Sequence, residues 1–205
     1  VFCGDRFYRN AAVIILVNTD CPFEVYSTHH LTPEDNKLVV TAADAEERVV
    51  LELNAEPAAL EYSQVVGVPI EDLSINTFAL NPIGVKLHDQ FHVRSLQKVN
   101  DDLSLSFFCA IDEGVVLSTC QRGNIVEHLK QTLEELKKKV GQPQLVIACE
   151  CIFRQLEIDQ LDIRDDISAL LKDYNVIGFD AYGEQYNGRH VNQTFSGVAI
   201  GMPNG

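Results

Sequence analysis

Asn124-Ile-Val-Glu127-His-Leu129-Lys-Gln-Thr-Leu133-Glu-Glu-Leu136-Lys-Lys-Lys-Val140-Gly-Gln-Pro143 reads as a helix from end to end. Ile125, Leu129, Leu133, Leu136 and Val140 recur at three- and four-residue steps and form one apolar stripe. Asn124 offers a side-chain acceptor to the first free amides, with Glu127 three residues on in a near capping box. Lys137, Lys138 and Lys139 lie in the last turn, where positive charge complements the helix dipole, and Gly141 and Pro143 end it. Such a stripe needs a surface to cover. The next residues, Leu145–Cys149, have the apolar pattern of a buried strand.

Outward from this pair the chain keeps alternating. A second helix places Ile163, Ile167, Leu170 and Leu171 inward, and the strand Val176–Phe179 follows. A loop rich in Gly and Asn leads to a last strand over Gln193–Ile200. Toward the N-terminus, Ala12–Val17 is a continuous apolar run, the pattern of a strand buried on both faces. Phe23–Tyr26 is a short strand, and Thr32-Pro33-Glu34-Asp35-Asn36 is a polar turn. Leu38–Thr41 and Arg48–Leu53 then form a hairpin, with Val49, Leu51 and Leu53 on one side and Val50 and Glu52 on the other. Asn54 and Pro57 open a helix that Gly67 stops, its core side formed by Tyr62, Val65 and Val66. From Thr77 to Thr119 the period is mostly two. Leu103, Leu105, Phe107, Cys109 and Ile111 form the inner face of one strand, and Asp112-Glu113-Gly114 turns into Val115–Leu117. The order predicts an α/β or α+β fold: mixed, largely antiparallel sheet layers with two or three packed helices.

The composition restricts function. The 205 residues are 46% apolar and 22% charged, enough for one domain or two small ones. Sixteen Lys plus Arg face thirty Asp plus Glu, a net charge of −14. That field repels phosphate backbones and anionic lipid, so nucleic acid is not an expected partner. No apolar run reaches about 18 residues, so no membrane insertion is expected. The six cysteines sit mostly in strand-like apolar runs, which fits reduced thiols in a cytoplasm. The chain opens at Val1 and its one methionine is Met202, so it reads as cut from a longer protein.

Four segments carry more polar specificity than a fold requires. Gly178 to Thr194 crowds Tyr182, Glu184, His190 and Asn192 between two apolar strands, where ligand-contacting loops concentrate. If His190 to Thr194 is extended, His190, Asn192 and Thr194 share one face. Tyr182 and Glu184 also read as groups that satisfy backbone in a long hairpin. In Leu145-Val-Ile-Ala-Cys149-Glu-Cys151-Ile-Phe-Arg154 a strand runs into a helix, so helix amides and Arg154 are placed to lower the Cys149 pKa. An inert buried thiol is the simpler reading of that cysteine. Arg94, within a strand, needs solvent, a carboxylate such as Asp112 or Glu184, or an anionic ligand. His29 and His30 face opposite ways, so only one can enter a pocket, and a surface or capping imidazole is the simpler reading. His88 and His92, four apart on a strand, lie about 13 Å from each other, too far to share a metal. The chain has no Gly-x-Gly-x-x-Gly, Walker A lysine loop, His-Glu-x-x-His or Gly-x-Ser-x-Gly, so the common nucleotide, zinc-protease and serine-hydrolase readings lack support.

Several of these segments together resemble one family. They are Val1-Phe-Cys-Gly-Asp5, Leu38-Val-Val-Thr41, Asn54-Ala-Glu-Pro-Ala58, Val93-Arg-Ser95, Phe107-Phe-Cys-Ala-Ile-Asp-Glu-Gly114, Cys149 to Arg154, and Gly178-Phe-x-x-Tyr182-Gly-Glu-Gln followed by His190, Asn192 and Thr194. The family is FIST, paired N- and C-terminal sensory domains of bacterial signalling proteins and of a eukaryotic F-box protein. The resemblance implies that residues 1–54 end the N domain and 55–205 form the C domain. It also implies a cytoplasmic sensor for a small, amino-acid-like ligand. Its partners would be the missing N-terminal part of its own chain and an output protein such as a kinase or cyclase. The cofactor is left open: haem is admitted because some members are haem-containing nitric-oxide sensors. Local chemistry nominates Arg94, Arg154, Tyr182, Glu184, His190 and Asn192 as ligand contacts. The alternatives are a cysteine-dependent enzyme using Cys149 with His190 as base, and a protein-recognition scaffold as in the F-box relatives.

Overall fold

The computed structural model describes residues 1–87 and 90–203, an α+β arrangement of mostly antiparallel strands with five α helices among the described residues. The short strands β1 (Phe2–Cys3) and β2 (Arg6–Phe7) pair with each other. They are followed by β3 (Phe23–Thr28), β4 (Leu31–Asp44), β5 (Val49–Leu53), β6 (Glu56–Pro57) and α1 (Ala58–Val66). A 3₁₀ turn at Ile70–Asp72 precedes α2 (Ile75–Leu80), β7 (Ile83–Leu87), β8 (Gln90–Arg94), β9 (Leu96–Val99), β10 (Leu105–Phe107) and β11 (Val116–Arg122). The C-terminal part is α3 (Ile125–Val140), β12 (Leu145–Cys151), α4 (Ile152–Gln160), α5 (Arg164–Asp173), β13 (Val176–Ala181), β14 (Glu184–Tyr186), β15 (Arg189–Val191) and β16 (Phe195–Ile200).

Two sheets organise the molecule. One has the order β8-β7-β11-β4-β5-β10-β9, with β6 against β5. Its core joins Leu38, Leu53, Tyr62, Phe78, Leu117 and Phe153, so α1, α2 and the start of α4 cover it. The other has the order β13-β12-β16-β3, parallel only between β12 and β13. The stripe of α3 packs on its Val146, Ala148, Phe195 and Ala199, together with Ile158 of α4 and Ile167 of α5. The Asn124 side chain caps α3 as its position demands, accepting from the amides of Val126 and Glu127 at 3.0 Å each. Residues on both sides of position 54 contribute to each sheet: β3 lies beside β16, and β4 beside β11.

The structure departs from the sequence reading where tertiary pairing outweighs pattern. Ala12–Val17 is not a strand, and Ile14 and Leu16 are 81% and 92% exposed. An apolar run becomes a strand only when a neighbour takes up its backbone groups, and none does so among the described residues. The polar stretch after Thr32 is not a turn. It is a bulge inside β4, where the pairing jumps from Pro33↔Cys120 to Lys37↔Ser118. A second bulge flips β5, so Val50 and Leu53 are buried and Leu51 is exposed. Asn54 does not cap α1. With Ala55 it forms a turn of two positive φ values (52° and 64°) joining β5 to β6, and the helix begins at Ala58. The strand expected over Leu103–Ile111 is only β10, because Leu103 takes a left-handed φ of 63°. α2 is an additional helix, whereas α4 is the helix expected where the Leu145–Cys151 strand ends.

Candidate functional site

The segment between Gly183 and Thr194 is shaped by backbone requirements that its sequence meets. Asn187 and Gly188, at φ 49° and 74°, form the two-residue turn between β14 and β15. Gly183 is at φ 128°, and a Cβ there would fall on the His190 ring and the Asn192 amide. Beyond Val191 the alternation stops. Gln193 adopts a left-handed φ of 52°, so Asn192, Gln193 and Thr194 are all buried and do not alternate between faces. The single polar face of His190, Asn192 and Thr194 expected from an extended chain is therefore absent. A left-handed, buried, non-glycine residue is strained, and such strain concentrates at functional sites.

Between this segment, β8 and the end of β3 lies a hollow of about 250 Å³, whose lining includes Ser27, His29, Gln90, His92, Asn192 and Thr194. Phe91 and Tyr186 form aromatic walls, and a second hollow of about 220 Å³ continues it toward Asn187 and Arg189. Arg189 Nη1 donates to Gln90 Oε1 at 2.8 Å and to His92 Nε2 at 3.2 Å. A guanidinium only donates, so His92 carries its proton on Nδ1. Burial lowers the pKa values of His29, His92 and His190, and Arg94 adds to the effect at His92 and His190. Asn192, only 2% exposed, leaves Oδ1 without a partner, and His190 Nε2 and both Gln193 amide atoms are likewise unpartnered. Among the described residues no carboxylate lines either hollow, although the chain has thirty acidic residues. Imidazole, amide, hydroxyl and guanidinium groups around an acid-free space can receive a small anionic or polar molecule.

Arg154 lies elsewhere. Strand alternation puts Glu150, Phe195 and Thr28 on the helix-covered face of the four-stranded sheet, and Cys149, Ser196 and Ser27 on the other. The Arg154 guanidinium lies 5.9 Å from the Phe195 ring centroid, hence on the covered face. There Nε donates to Glu150 at 3.0 Å and Nη1 to His30 Nδ1 at 3.1 Å, which leaves the His30 proton on Nε2 for Glu157 at 3.0 Å. Arg122 reaches the same Glu157 at 3.2 Å. Glu184 belongs to the opposite face, its Oε1 accepting from Thr194 at 2.9 Å and Ser196 at 3.2 Å.

The six nominated residues therefore separate. Asn192 lines the hollow, His190 stands behind it at Gly183, and Glu184 is tied to it through Thr194. Arg94 is half-buried at the end of β8, its Nη1 donating to the Val93 carbonyl at 3.3 Å. Neither Asp112 nor Glu184 forms an ion pair with it among the described residues. Arg154 serves the buried charge network, and Tyr182 points to solvent at 77% exposure. Burial and the nearby Glu184 push the Cys149 thiol up, which fits the inert thiol and not the activated one, and the helix that follows opens only after Cys151. His30 is neither a surface nor a capping imidazole, since both its ring nitrogens are engaged in the interior. His88 lies outside the described residues.

Sequence reasoning missed Arg189, Glu157, Arg122 and Gln193, and it weighed His29 and His92 without nominating either as a contact. The i,i+3 spacing of Arg154 and Glu157 and the His29-His30 pair were the available signals. Gln193 had none.

Residues 58–187 match the family model of the FIST C domain, and residues 1–56 that of the FIST N domain. The chain belongs to the FIST family. FIST domains are sensory domains of signal transduction rather than a family of enzymes. No curated protein and no solved structure matches the chain. No helix among the described residues is long and apolar enough to cross a membrane.

Among the described residues, neither His30 nor the hollow beside His29 fits a haem. His30 has no free nitrogen for iron, and the hollow beside His29, at about 250 Å³, is below the range usual for cofactor-sized ligands.

Proposed function

We propose that this FIST chain is a cytoplasmic sensor that holds a small anionic or zwitterionic, amino-acid-like metabolite in the acid-free hollow beside β8. Asn192, His29, His92 and Arg189 are the contacts, with Arg94, His190 and Glu184 shaping the site from behind. The observation that carries this reading is the buried, unpartnered Oδ1 of Asn192, a residue that lines that hollow. Orphaned buried polar atoms are costly, and a ligand donor such as an ammonium removes that cost. The guanidinium and imidazoles around it would meet the ligand's carboxylate. Binding would favour one placement of the β14–β15 hairpin over others, and an output protein such as a kinase or cyclase would read that difference.

Calorimetric titration with the amino acids and small dicarboxylates tests the reading. Saturable heat with at least one of them is expected, weakened about tenfold or more by His92→Ala. A panel that gives no heat would remove it. A second reading, a protein-recognition scaffold, has one observation in its favour: Phe23, Ile177 and Phe179 are exposed on one sheet face.

A further inference from the structure

The face of the four-stranded sheet turned away from the helices is apolar and open. Val25, Val198, Ile147 and Ile177 stand in one row across β3, β16, β12 and β13, with Phe23 and Phe179 beside them on the same side. Phe23, Val25, Ile147, Ile177 and Phe179 are 58, 51, 40, 57 and 66% exposed. No outward position on these four strands carries a charge, in a chain of net charge −14. The β14–β15 hairpin roofs one end and creates a hollow of about 450 Å³ lined by Val25, Ile147, Phe179, Val198, Tyr186 and Glu184 among others.

Glu184 makes this hollow specific. It is only 7% exposed, and its Oε1 already accepts from Thr194 and Ser196. Its Oε2 is buried with no partner. An ionised carboxylate oxygen can only accept, so the missing group is a donor, and a cationic donor suits a buried carboxylate best. We propose that this hollow binds a small amphipathic amine, whose alkyl or aryl body lies on the sheet while its ammonium donates to Glu184 Oε2. The site adjoins the acid-free hollow, with Tyr186 lining both, and prefers the opposite charge.

The neighbours of Glu184 set its pH dependence. They are the hydroxyls of Thr194 and Ser196, Arg154 of α4, and Glu150, Cys149 and Cys151 of β12. Burial outweighs the hydroxyls and Arg154 and raises the carboxyl to about 7. Only the ionised form attracts an ammonium, while an alkylamine keeps its own proton near neutrality. Affinity therefore rises about tenfold between pH 6 and pH 8.

Titration of the 205-residue chain with octylamine, octanol and octanoate at both pH values decides the matter. At pH 8 octylamine is expected to bind about tenfold tighter than the other two, and this preference shrinks at pH 6. Glu184→Gln should equalise octylamine and octanol, and retained octanol binding shows that the variant is folded. Phe179→Ser, at an already exposed position, should weaken all three. The proposal is overturned if no probe binds, if the amine preference survives Glu184→Gln, or if octanoate binds as tightly through Phe179. A chain whose sedimentation mass is doubled, and halved again by Phe179→Ser, would show that a second copy covers this face, and would overturn it equally.

Discussion

On the covered face of the four-stranded sheet, Arg154 gives two nitrogens to Glu150 and His30, and Glu157 receives both His30 and Arg122. On the open face Glu184 is nearly as buried, yet one of its oxygens has no donor, and beyond the hairpin Asn192 repeats the pattern. Both regions bury charged or strongly polar groups. In the first, charges are balanced in pairs and tie the β3–β4 junction, β11, β12 and α4 together, which is an architectural use. In the second, the hydrogen-bonding capacity is left unspent at the wall of a hollow. Residue type alone does not separate a structural from a receptive polar group. The presence of an opposite charge does: Arg154, whose Nη2 also lacks a partner, lies against Glu150, whereas Glu184 forms no ion pair among the described residues.

The comparison can be broken by substitution, and the largest effects belong to the covered face. Phe195→Ala removes a ring that packs on Tyr26 and under Arg154, and should cost about 3–5 kcal/mol by urea denaturation. Arg154→Leu leaves Glu150 and His30 without their buried donor and should cost about 3 kcal/mol. A loss below about 1 kcal/mol for either would mean that the network does not hold the two sheets together.

The open face should respond to pH. The Glu184 carboxyl titrates near 7 when folded and at its ordinary value of 4.5 when unfolded, so between these values the folded state holds a proton that the unfolded state has released. Stability contributed by Glu184 is therefore present at low pH and lost as pH rises through about 7, by about 3 kcal/mol. The histidines lowered by burial act in the opposite sense, so the quantity to measure is wild type minus Glu184→Gln at pH 5 and pH 8. The variant should lack the extra downward slope. The smallest effect is at Phe179: Phe179→Ser should change stability by less than about 0.5 kcal/mol, against several for Phe195→Ala on the other side.

These two faces were not equally legible in the sequence. The α3 stripe, its Asn124 cap and the α+β class follow from periodicity, because a buried apolar face leaves a regular mark. The polar site leaves a weaker one. The Gly183 and Asn187-Gly188 positions marked the hairpin, but nothing in Gln193 announced a left-handed residue, and that one torsion turned an expected row of side chains into a buried knot. Arg154 was nominated for its charge and belongs to the interior, because its partners His30 and Glu157 come from elements that only the fold brings together. Ala12–Val17 shows the limit from the other side, with strong strand chemistry and no neighbour among the described residues to use it.

The central claim is that the acid-free hollow is a receptor site. It is tested most directly by following the Asn192 side-chain amide and the His29 and His92 rings by NMR while the best ligand from the metabolite panel is added. The account expects those three signals to shift together along one saturation curve, with the Arg154 and His30 signals little changed. Shifts confined to the Arg154 network, or none at Asn192 at saturation, would contradict it.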